Sequence, residues 1–230
     1  VKRGIRRLSQ YPHTASTYDA SCIAMALAAH DPRANREWLA ETVDYLISTQ
    51  NGSWGYPSSD QDLSNTQYAA LGLRAAALAG IDIPESVWFD LAKALGRYQR
   101  SGGYGYRHNQ GPTGSMTAAG VGTLAICDAM MTRKGALTNK QGKEFLELRT
   151  KGIGWLGEHF SVTNNPGSGA GLHYYLYGLE RVGALAGVTL FGELDWYREG
   201  ARSLVATQDA RGAWGANRGF GDGTTQTSFA

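Results

Sequence analysis

The stretch that decides the fold reads QNGSWGY at positions 50–56, and after a polar loop it is followed by the Ala-, Gly- and Leu-rich SNTQYAALGL. Similar pairs of segments begin at Gln99, with QRSGGYGY and then SMTAAGV, and at Gln208, with QDARGAWG and then TQTSFA. A degenerate copy runs from Trp155 through a Gly-rich stretch into HYYLYGL at positions 173–179. The spacing of about 50 residues is typical of repeated supersecondary units, and it predicts about four of them plus the start of a fifth.

Each unit reads as two helices. The segment after the aromatic–Gly turn is apolar nearly all round, at residues 65–79 and 116–131, and it is therefore expected to be buried. The other helix is amphipathic, and we predict helices of this kind over residues 36–49, 85–98, 142–159 and 193–207. Over residues 85–98, the apolar positions with helical spacing are Val87, Leu91, Ala94, Leu95 and Tyr98. No useful length alternates with period two, so we expect essentially no sheet.

A buried helix that alternates with an amphipathic one suits two concentric helical layers. We predict an all-α fold, an (α/α) toroid of helical hairpins around a central cavity, formed as a single domain by residues 1–230. A closed ring of six such hairpins needs about 300 residues. The ring is therefore expected to be incomplete, and the chain, which lacks an initial Met and stops within a helical pattern, to be truncated at both ends.

Composition excludes several classes of partner. The formal net charge is +2, and no run of Lys and Arg is long enough to form a patch for nucleic acid. The longest apolar runs are interrupted, so we expect no integral membrane segment. Two cysteines, Cys22 and Cys127, do not make a disulfide framework. Oligomeric state and compartment stay open, because an export signal could have been removed.

The Gln, Gly and aromatic residues of these turns, with the helical pair that follows, resemble the Q–W repeats of squalene–hopene and oxidosqualene cyclases. The repeat of protein prenyltransferase β subunits is similar. The resemblance covers nearly the whole chain and implies the terpenoid-cyclase type of α/α toroid. It also implies that Gln50 with Trp54, and Gln208 with Trp214, fasten neighbouring repeats. Gln99 departs from the pattern by preceding Tyr104 instead of Trp.

Candidate site residues cluster where the buried helices begin. Parallel inner helices would bring their N-termini, with partial positive charge and free N–H groups, to one end of the ring. Aligning the units places Asp19, Gln67, Ala118, His173 and Ser228 at one position, preceded by Tyr18, Thr66, Thr117 and Thr227. Capping explains the Ser and Thr residues without any function. Asp19 and His173 break the small-polar pattern and are our catalytic candidates here, with Tyr18, Thr66, Gln67 and Thr117 as ligand-binding candidates.

Asp60 and Asp62 are two further catalytic candidates. They belong to the sequence Asp-Gln-Asp-Leu, which partly matches the Asp-x-Asp-Asp motif with which class II terpene cyclases protonate an alkene or epoxide. Leu63 stands where that motif has its last Asp. A protonating carboxyl needs burial and a neighbour that raises its pKa. The structural alternative is that carboxylates before a helix stabilise its N-terminus.

The densest aromatic stretch, at positions 173–179, adds Tyr174 and Tyr177 as ligand-binding candidates, whereas Tyr175 and Leu176 are expected to pack between helices. Aromatic rings suit an apolar ligand, a cation or a sugar. The set Asp19, Cys22 and His173 is comparable to prenyltransferase zinc ligands but departs from their spacing, so we predict no metal site and no cofactor.

Three functions remain open from the sequence. The first is a terpenoid-cyclase-like protein that binds an apolar or extended ligand in the central cavity. The second is a non-catalytic repeat module for protein interaction, with a shallow or filled centre. The third is a carbohydrate-active α/α-toroid lyase or hydrolase, which needs a Tyr or His within hydrogen-bond reach of a cation or carboxylate.

Overall fold

The computed structural model describes residues 2–10, 16–215 and 222–230. Within these ranges the chain is helical, with two antiparallel pairs of very short strands, which confirms the all-α class. The helices are α1 Lys2–Leu8, α2 Thr17–His30, α3 Arg36–Ser48, α4 Leu63–Leu78, α5 Glu85–Leu95, α6 Gly114–Lys134, α7 Asn139–Glu158, α8 Leu172–Ala186, α9 Trp196–Thr207 and α10 Gly223–Phe229. The strands are β1 Gln99–Arg100, β2 Gly103–Tyr104, β3 Leu190–Phe191 and β4 Leu194–Asp195.

The helix boundaries follow capping chemistry, which explains where the predicted ranges were wrong. Helix α4 begins two residues before the predicted 65, because Asp62 caps it. Helix α7 begins three residues before the predicted 142, because Thr138 and Gln141 form a capping box ahead of it. Helix α9 begins three residues after the predicted 193, because residues 190–195 form the β3–β4 hairpin and Asp195 caps the helix.

The chain divides into two compact units. The first contains Val1–Leu95 and Ile126–Leu137, and the second contains Gly96–Ala125 and Thr138–Ala230. The division falls within α6, whose first part belongs to the second unit.

In the first unit, α4 is buried along almost all of Leu63–Leu73, as its Ala- and Gly-rich sequence predicted. Its neighbour is α2, and the two backbones approach closely at Gly72, where a Cβ would lie 2.9 Å from the Cα of Ser21. Only a glycine permits that approach without displacing a helix.

Helix α5, also in the first unit, has the predicted amphipathic form. Its apolar face is buried and includes Val87, Leu91 and Leu95, whereas Glu85 and Lys93 are exposed. A helix of this kind is stabilised mainly by burying one face rather than by its intrinsic propensity.

In the second unit, the first part of α6 is buried and packs against α8, where a Cβ on Gly178 would lie 3.0 Å from the Cβ of Ala118. The loop before α8 is held by Asn165. Its Oδ1 accepts from the backbone N–H of Ser115 at 2.9 Å, and its Nδ2 donates to Ser115 Oγ and to the carbonyl of Ala170, each at 3.0 Å. One buried amide therefore fixes a loop to the start of α6.

Candidate functional site

The aromatic–Gly turns share one hydrogen bond. The backbone N–H of Trp54 donates to Thr66 Oγ1 at 3.1 Å, that of Tyr104 to Thr117 Oγ1 at 3.0 Å, and that of Trp214 to Thr227 Oγ1 at 3.1 Å. Thr66 and Thr117, which the sequence nominates as ligand-binding, are fully buried. Each also donates its hydroxyl proton to a carbonyl of its own helix start, at 2.7 Å. Their polar atoms are thus engaged in holding the turns.

The glutamine before each turn donates to a carbonyl within it. Gln50 Nε2 reaches Gly52 O at 3.5 Å, Gln99 Nε2 reaches Gly102 O at 3.2 Å, and Gln208 Nε2 reaches Gly212 O at 3.0 Å. Two of these amides also reach a helix further along the chain. Gln50 donates to Val87 O on α5 at 3.0 Å, and Gln99 donates to Leu148 O on α7 at 2.8 Å. Among the described residues, Gln208 has no such second acceptor.

Asp62 and Asp60 lie in different environments. Asp62 is fully buried and caps α4: one carboxylate oxygen accepts from the backbone N–H of Asn65 and the other from its side-chain amide, both at 2.8 Å. Asp60 is exposed. A carboxyl that protonates a ligand needs a proton-bearing oxygen directed at that ligand. The position of Asp62 is that of a helix cap, and Asp60 lacks the burial that the protonating role requires.

Tyr18 and Asp19 lie at the start of α2, in the first unit. Asp19 is exposed, and its carboxylate accepts from Ser16 Oγ at 2.8 Å, while Ser16 Oγ accepts from the Asp19 backbone N–H at 3.1 Å. Tyr18 is half-buried, and its hydroxyl lies 2.6 Å from Ser64 Oγ. Its ring lies against Tyr68, with centroids 4.5 Å apart. The pair Ser16 and Asp19 is a local cap, and Tyr18 links α2 to α4.

Gln67, the remaining candidate of the first unit, is buried on α4 next to Thr66. The structure therefore brings Tyr18, Asp62, Thr66 and Gln67 to the paired starts of α2 and α4.

The candidates on α8 face α10 in the second unit. His173 Nδ1 lies 2.7 Å from Gln226 Oε1, and both side chains are buried. The rings of Tyr174 and Tyr177 lie against Phe229, with centroid distances of 5.2 and 5.5 Å. These contacts fasten α10 to α8. Tyr175, as expected from the sequence, is fully buried between helices, and burial raises its pKa to about 12.

The second unit also contains a cavity of about 380 Å³ between α8, α9, α10 and the turn before α10. We call it the Trp214 cavity. Its walls are largely apolar and aromatic and include Tyr177, Trp196, Leu204, Gln208, Trp214 and Phe229. Glu180 on its rim forms an ion pair with Arg181. Both indole N–H groups are already bonded, Trp196 to Val188 O at 2.7 Å and Trp214 to Leu204 O at 3.0 Å.

Helix α9 forms one wall of the Trp214 cavity and has no buried residue in the described structure. Tyr197 is 69% exposed and Val205 is 77% exposed, although both are apolar positions of an amphipathic helix. Of the site residues nominated from the sequence, Tyr177 lines this cavity, and the other residues of its wall were not predicted. The pattern of residues 193–207 predicts an apolar face, but a pattern alone does not show whether anything covers that face.

In the part of the chain that the structure describes, no three His, Cys, Asp or Glu side chains are grouped to hold a metal ion. Cys127 is buried and Cys22 is exposed, and both are free thiols. None of the helices in the described ranges has the length and apolar character to cross a bilayer.

Comparisons of the chain with protein-family models, with curated proteins and with solved structures find no match.

Proposed function

We propose that this chain is a non-catalytic α/α repeat domain of the terpenoid-cyclase-like toroid type, and that it binds an apolar or extended ligand in the Trp214 cavity. The observation that carries the proposal is the cavity itself, a space of about 380 Å³ walled by Trp196, Trp214, Tyr177 and Phe229 and bordered by an exposed helix. Binding sites for organic ligands are typically concave, mostly apolar spaces of about 300–1,000 Å³ with a few polar groups.

The shared turn contacts support the repeat. The bond from an aromatic backbone N–H to a Thr hydroxyl occurs at Trp54, Tyr104 and Trp214, and the sequence separation of the two partners is 12 in the first turn and 13 in the others. The glutamine before each turn adds a second shared bond. In a protein built from repeated helical hairpins, each repeat forms the same contacts at the same spacing. The shared bonds therefore support a repeat of this kind.

The use of the acidic residues supports binding rather than catalysis. Both oxygens of Asp62 accept hydrogen bonds from Asn65, and Asp19 is engaged with Ser16 at the surface. An active-site acid is expected in a cleft, with its carboxyl close to the reacting atoms. The cavity wall offers aromatic rings, aliphatic side chains and the amide of Gln208, and the carboxylate of Glu180 on its rim is paired with Arg181.

Burial of exposed apolar surface favours the binding of a ligand in the Trp214 cavity. Tyr197 and Val205 expose apolar surface that becomes available for burial when a ligand binds. Each Å² of apolar surface removed from water contributes about 25 cal/mol, so covering a few such side chains provides several kcal/mol of driving force. The side-chain amide of Gln208 at the cavity edge can orient a bound ligand. A ligand group placed against this amide must form a hydrogen bond with it, because a buried polar group without a partner costs free energy.

The test is titration of the protein with Nile red, a neutral dye whose emission rises in apolar surroundings. We expect saturable binding, weakened about tenfold or more by Leu204→Glu, because the substitution places a charge in the cavity wall. Leu146→Glu is the matched control, since Leu146 is an exposed leucine of α7 outside the cavity. Equal dye binding by the wild type and Leu204→Glu would overturn the proposal.

A further inference from the structure

We infer that the loop of residues 105–112, which we call the Arg107 loop, binds a phosphate group through the guanidinium groups of Arg107 and Arg100. The loop lies in the second unit, and none of its residues lines the Trp214 cavity, so the inference is independent of the proposed function. It rests on the fixed shape of the loop, on an arginine side chain without a partner and on a local excess of positive charge.

Backbone contacts fix the shape of the Arg107 loop. Gly105 and Pro112 form a bridge at its base, and the backbone N–H of Gln110 donates to Arg107 O at 3.0 Å. A Cβ on Gly105 would lie 2.4 Å from Gln110 O, so the loop folds back tightly against its own start. A loop held in this way loses little conformational freedom when a ligand binds.

The loop after the Trp54 turn closes in the same way without any arginine. Its ends also form a bridge, and a Cβ on Gly55 would lie 2.5 Å from Asp60 O. Residues 56–60 contain no Lys, Arg or His, whereas the Arg107 loop contains two basic residues and no acidic one. Closure of such a loop therefore does not require a cation, and the positive charge of the Arg107 loop is available for another role.

The side chain of Arg107 has no partner of its own. Its Nε is buried, and no acceptor in the described structure lies within hydrogen-bond distance of it. Arg107 also forms no ion pair within the described ranges. A buried donor without an acceptor costs free energy, and the cost is larger for a charged group. Since the side chain as a whole is half-buried, an anion that approaches its exposed end can neutralise the charge.

Arg100 brings a second guanidinium to the same loop. The side chain of Arg100 is exposed, and its Nε donates to the carbonyl of His108, the residue after Arg107, at 2.8 Å. The sequence has no Asp or Glu between Asp90 and Asp128, so no acidic residue of this segment compensates the two charges. Two guanidinium groups suit a dianion with several oxygens better than a singly charged carboxylate with two.

The experiment titrates the whole chain with sodium phosphate in a calorimeter, at an ionic strength kept constant with sodium chloride, because salt screens exposed charges. We expect saturable binding of phosphate, and binding of acetate that is weaker by about tenfold or more. Arg107→Gln should weaken phosphate binding about tenfold or more, the expected effect of losing charge-assisted hydrogen bonds. Arg100→Gln, at the more exposed of the two side chains, should weaken it about fivefold.

Arg198→Gln is the matched control, because Arg198 is an exposed arginine of α9, outside the loop. Its affinity for phosphate should stay within about twofold of the wild type. Arg107→Lys should bind phosphate more tightly than Arg107→Gln and less tightly than the wild type, since lysine keeps the charge without the planar fork of donors. Unchanged binding by Arg107→Gln, or an equal loss in Arg198→Gln, would overturn the inference.

Urea denaturation separates a binding role of Arg107 from a structural one. Phosphate should raise the urea midpoint of the wild type and leave that of Arg107→Gln unchanged, because a ligand stabilises only a protein that binds it. Without phosphate, Arg107→Gln should be at least as stable as the wild type, since it removes a charge that has no partner. A lower midpoint for the variant, with no effect of phosphate on the wild type, would assign Arg107 to the structure and overturn the inference.

Glycerol 3-phosphate, a phosphate monoester, identifies the source of the bound group. Tighter binding of the ester than of inorganic phosphate would support the site and show that its ligand is a phosphate ester. Equal affinity would support the site with free phosphate as its ligand. Acetate that binds as tightly as phosphate would overturn the assignment to a phosphate group.

Discussion

The Trp54 turn of the first unit and the Trp214 turn of the second contain the same two hydrogen bonds to backbone or from it, and they differ in how far the indole is buried. In each, the backbone N–H donates to a Thr hydroxyl and the indole N–H donates to a helix carbonyl. Trp54 is 1% exposed, whereas Trp214 is half-buried and borders a cavity. The difference teaches that these hydrogen bonds alone do not determine how far the aromatic ring of a turn is buried.

The largest effect is expected from removing each indole ring, which tests whether the two turns differ in burial. Trp54→Ala should lower the free energy of unfolding by about 3–5 kcal/mol, because it leaves a large void in a closed core. Trp214→Ala should cost about 1–2 kcal/mol, since its ring is already half-exposed and less apolar surface is lost. Urea denaturation measures both. Equal losses would show that the two turns are covered to the same extent in solution.

The next largest effect is expected at the carboxylates that precede α4. Asp62→Ala should destabilise the first unit by about 2 kcal/mol, because it removes a buried cap with two accepted hydrogen bonds. Asp60→Ala, at the surface two residues earlier, should change stability by less than about 0.5 kcal/mol. The readout is the urea midpoint. An unchanged midpoint for Asp62→Ala would contradict the structural role and revive the sequence-based prediction of a functional acid.

The threonines provide a more conservative comparison. Thr66→Val keeps the shape but leaves the buried N–H of Trp54 without its acceptor, which should cost about 1–3 kcal/mol. Thr227→Val makes the same change at a half-buried turn, where water can replace the hydroxyl, and should cost less than about 1 kcal/mol. Amide hydrogen exchange at Trp54 and Trp214 reports each bond directly. A larger effect at Trp214 would reverse the proposed order of burial.

The smallest expected effect is a loss of stability of α10 at low pH. Backbone N–H donors, from Thr225 to Asp222 and from Ala213 to Asp209, are the main cause that lowers the pKa of each of these exposed carboxyls. A lowered folded-state pKa stabilises the fold above the ordinary aspartate pKa of about 3.9, and that stabilisation is lost as pH falls through the folded value. The protection factors of the α10 amides, which correct for the intrinsic pH dependence of hydrogen exchange, should therefore decrease slightly as the pH falls below about 3.9.

Asp222→Asn is the control for the acid effect. Asparagine caps a helix nearly as well as aspartate but does not titrate in this range. The variant should lose part of the acid sensitivity of α10 while keeping the helix at neutral pH. An identical pH profile for the variant and the wild type would assign the sensitivity to other groups.

The sequence predicts the helices and their faces well, because both follow from local periodicity. The burial of α4 and the apolar face of α5 with Val87 and Leu91 were correct. The β3–β4 hairpin at residues 190–195 was missed, since its short strands carry no alternating pattern. The arrangement of the helical hairpins as a toroid remains a prediction, and it forms part of the proposed function.

Site residues were harder to predict, because their roles depend on contacts between distant positions. The sequence offered both a catalytic and a capping interpretation of Asp62, and only the two bonds to Asn65 distinguish them. His173 meets Gln226 across 53 residues, which no local pattern reveals. The Trp214 cavity is lined by residues of α8, α9, α10 and the turn before α10, which no single local pattern contains, and the amphipathic pattern of α9 does not show whether its apolar face is covered.

The side-chain amide of Asn165, which holds the loop before α8, also determines how readily this position deamidates. Asparagines deamidate when the nitrogen of the next residue attacks the side-chain carbonyl and closes a succinimide ring. Asn165 is followed by Pro166, whose nitrogen carries no hydrogen, so that ring closure is blocked and the donors to Ser115 and Ala170 are preserved. Asn51 is exposed and followed by Gly52, which has no side chain to hinder ring closure, so we expect deamidation at Asn51 rather than at Asn165.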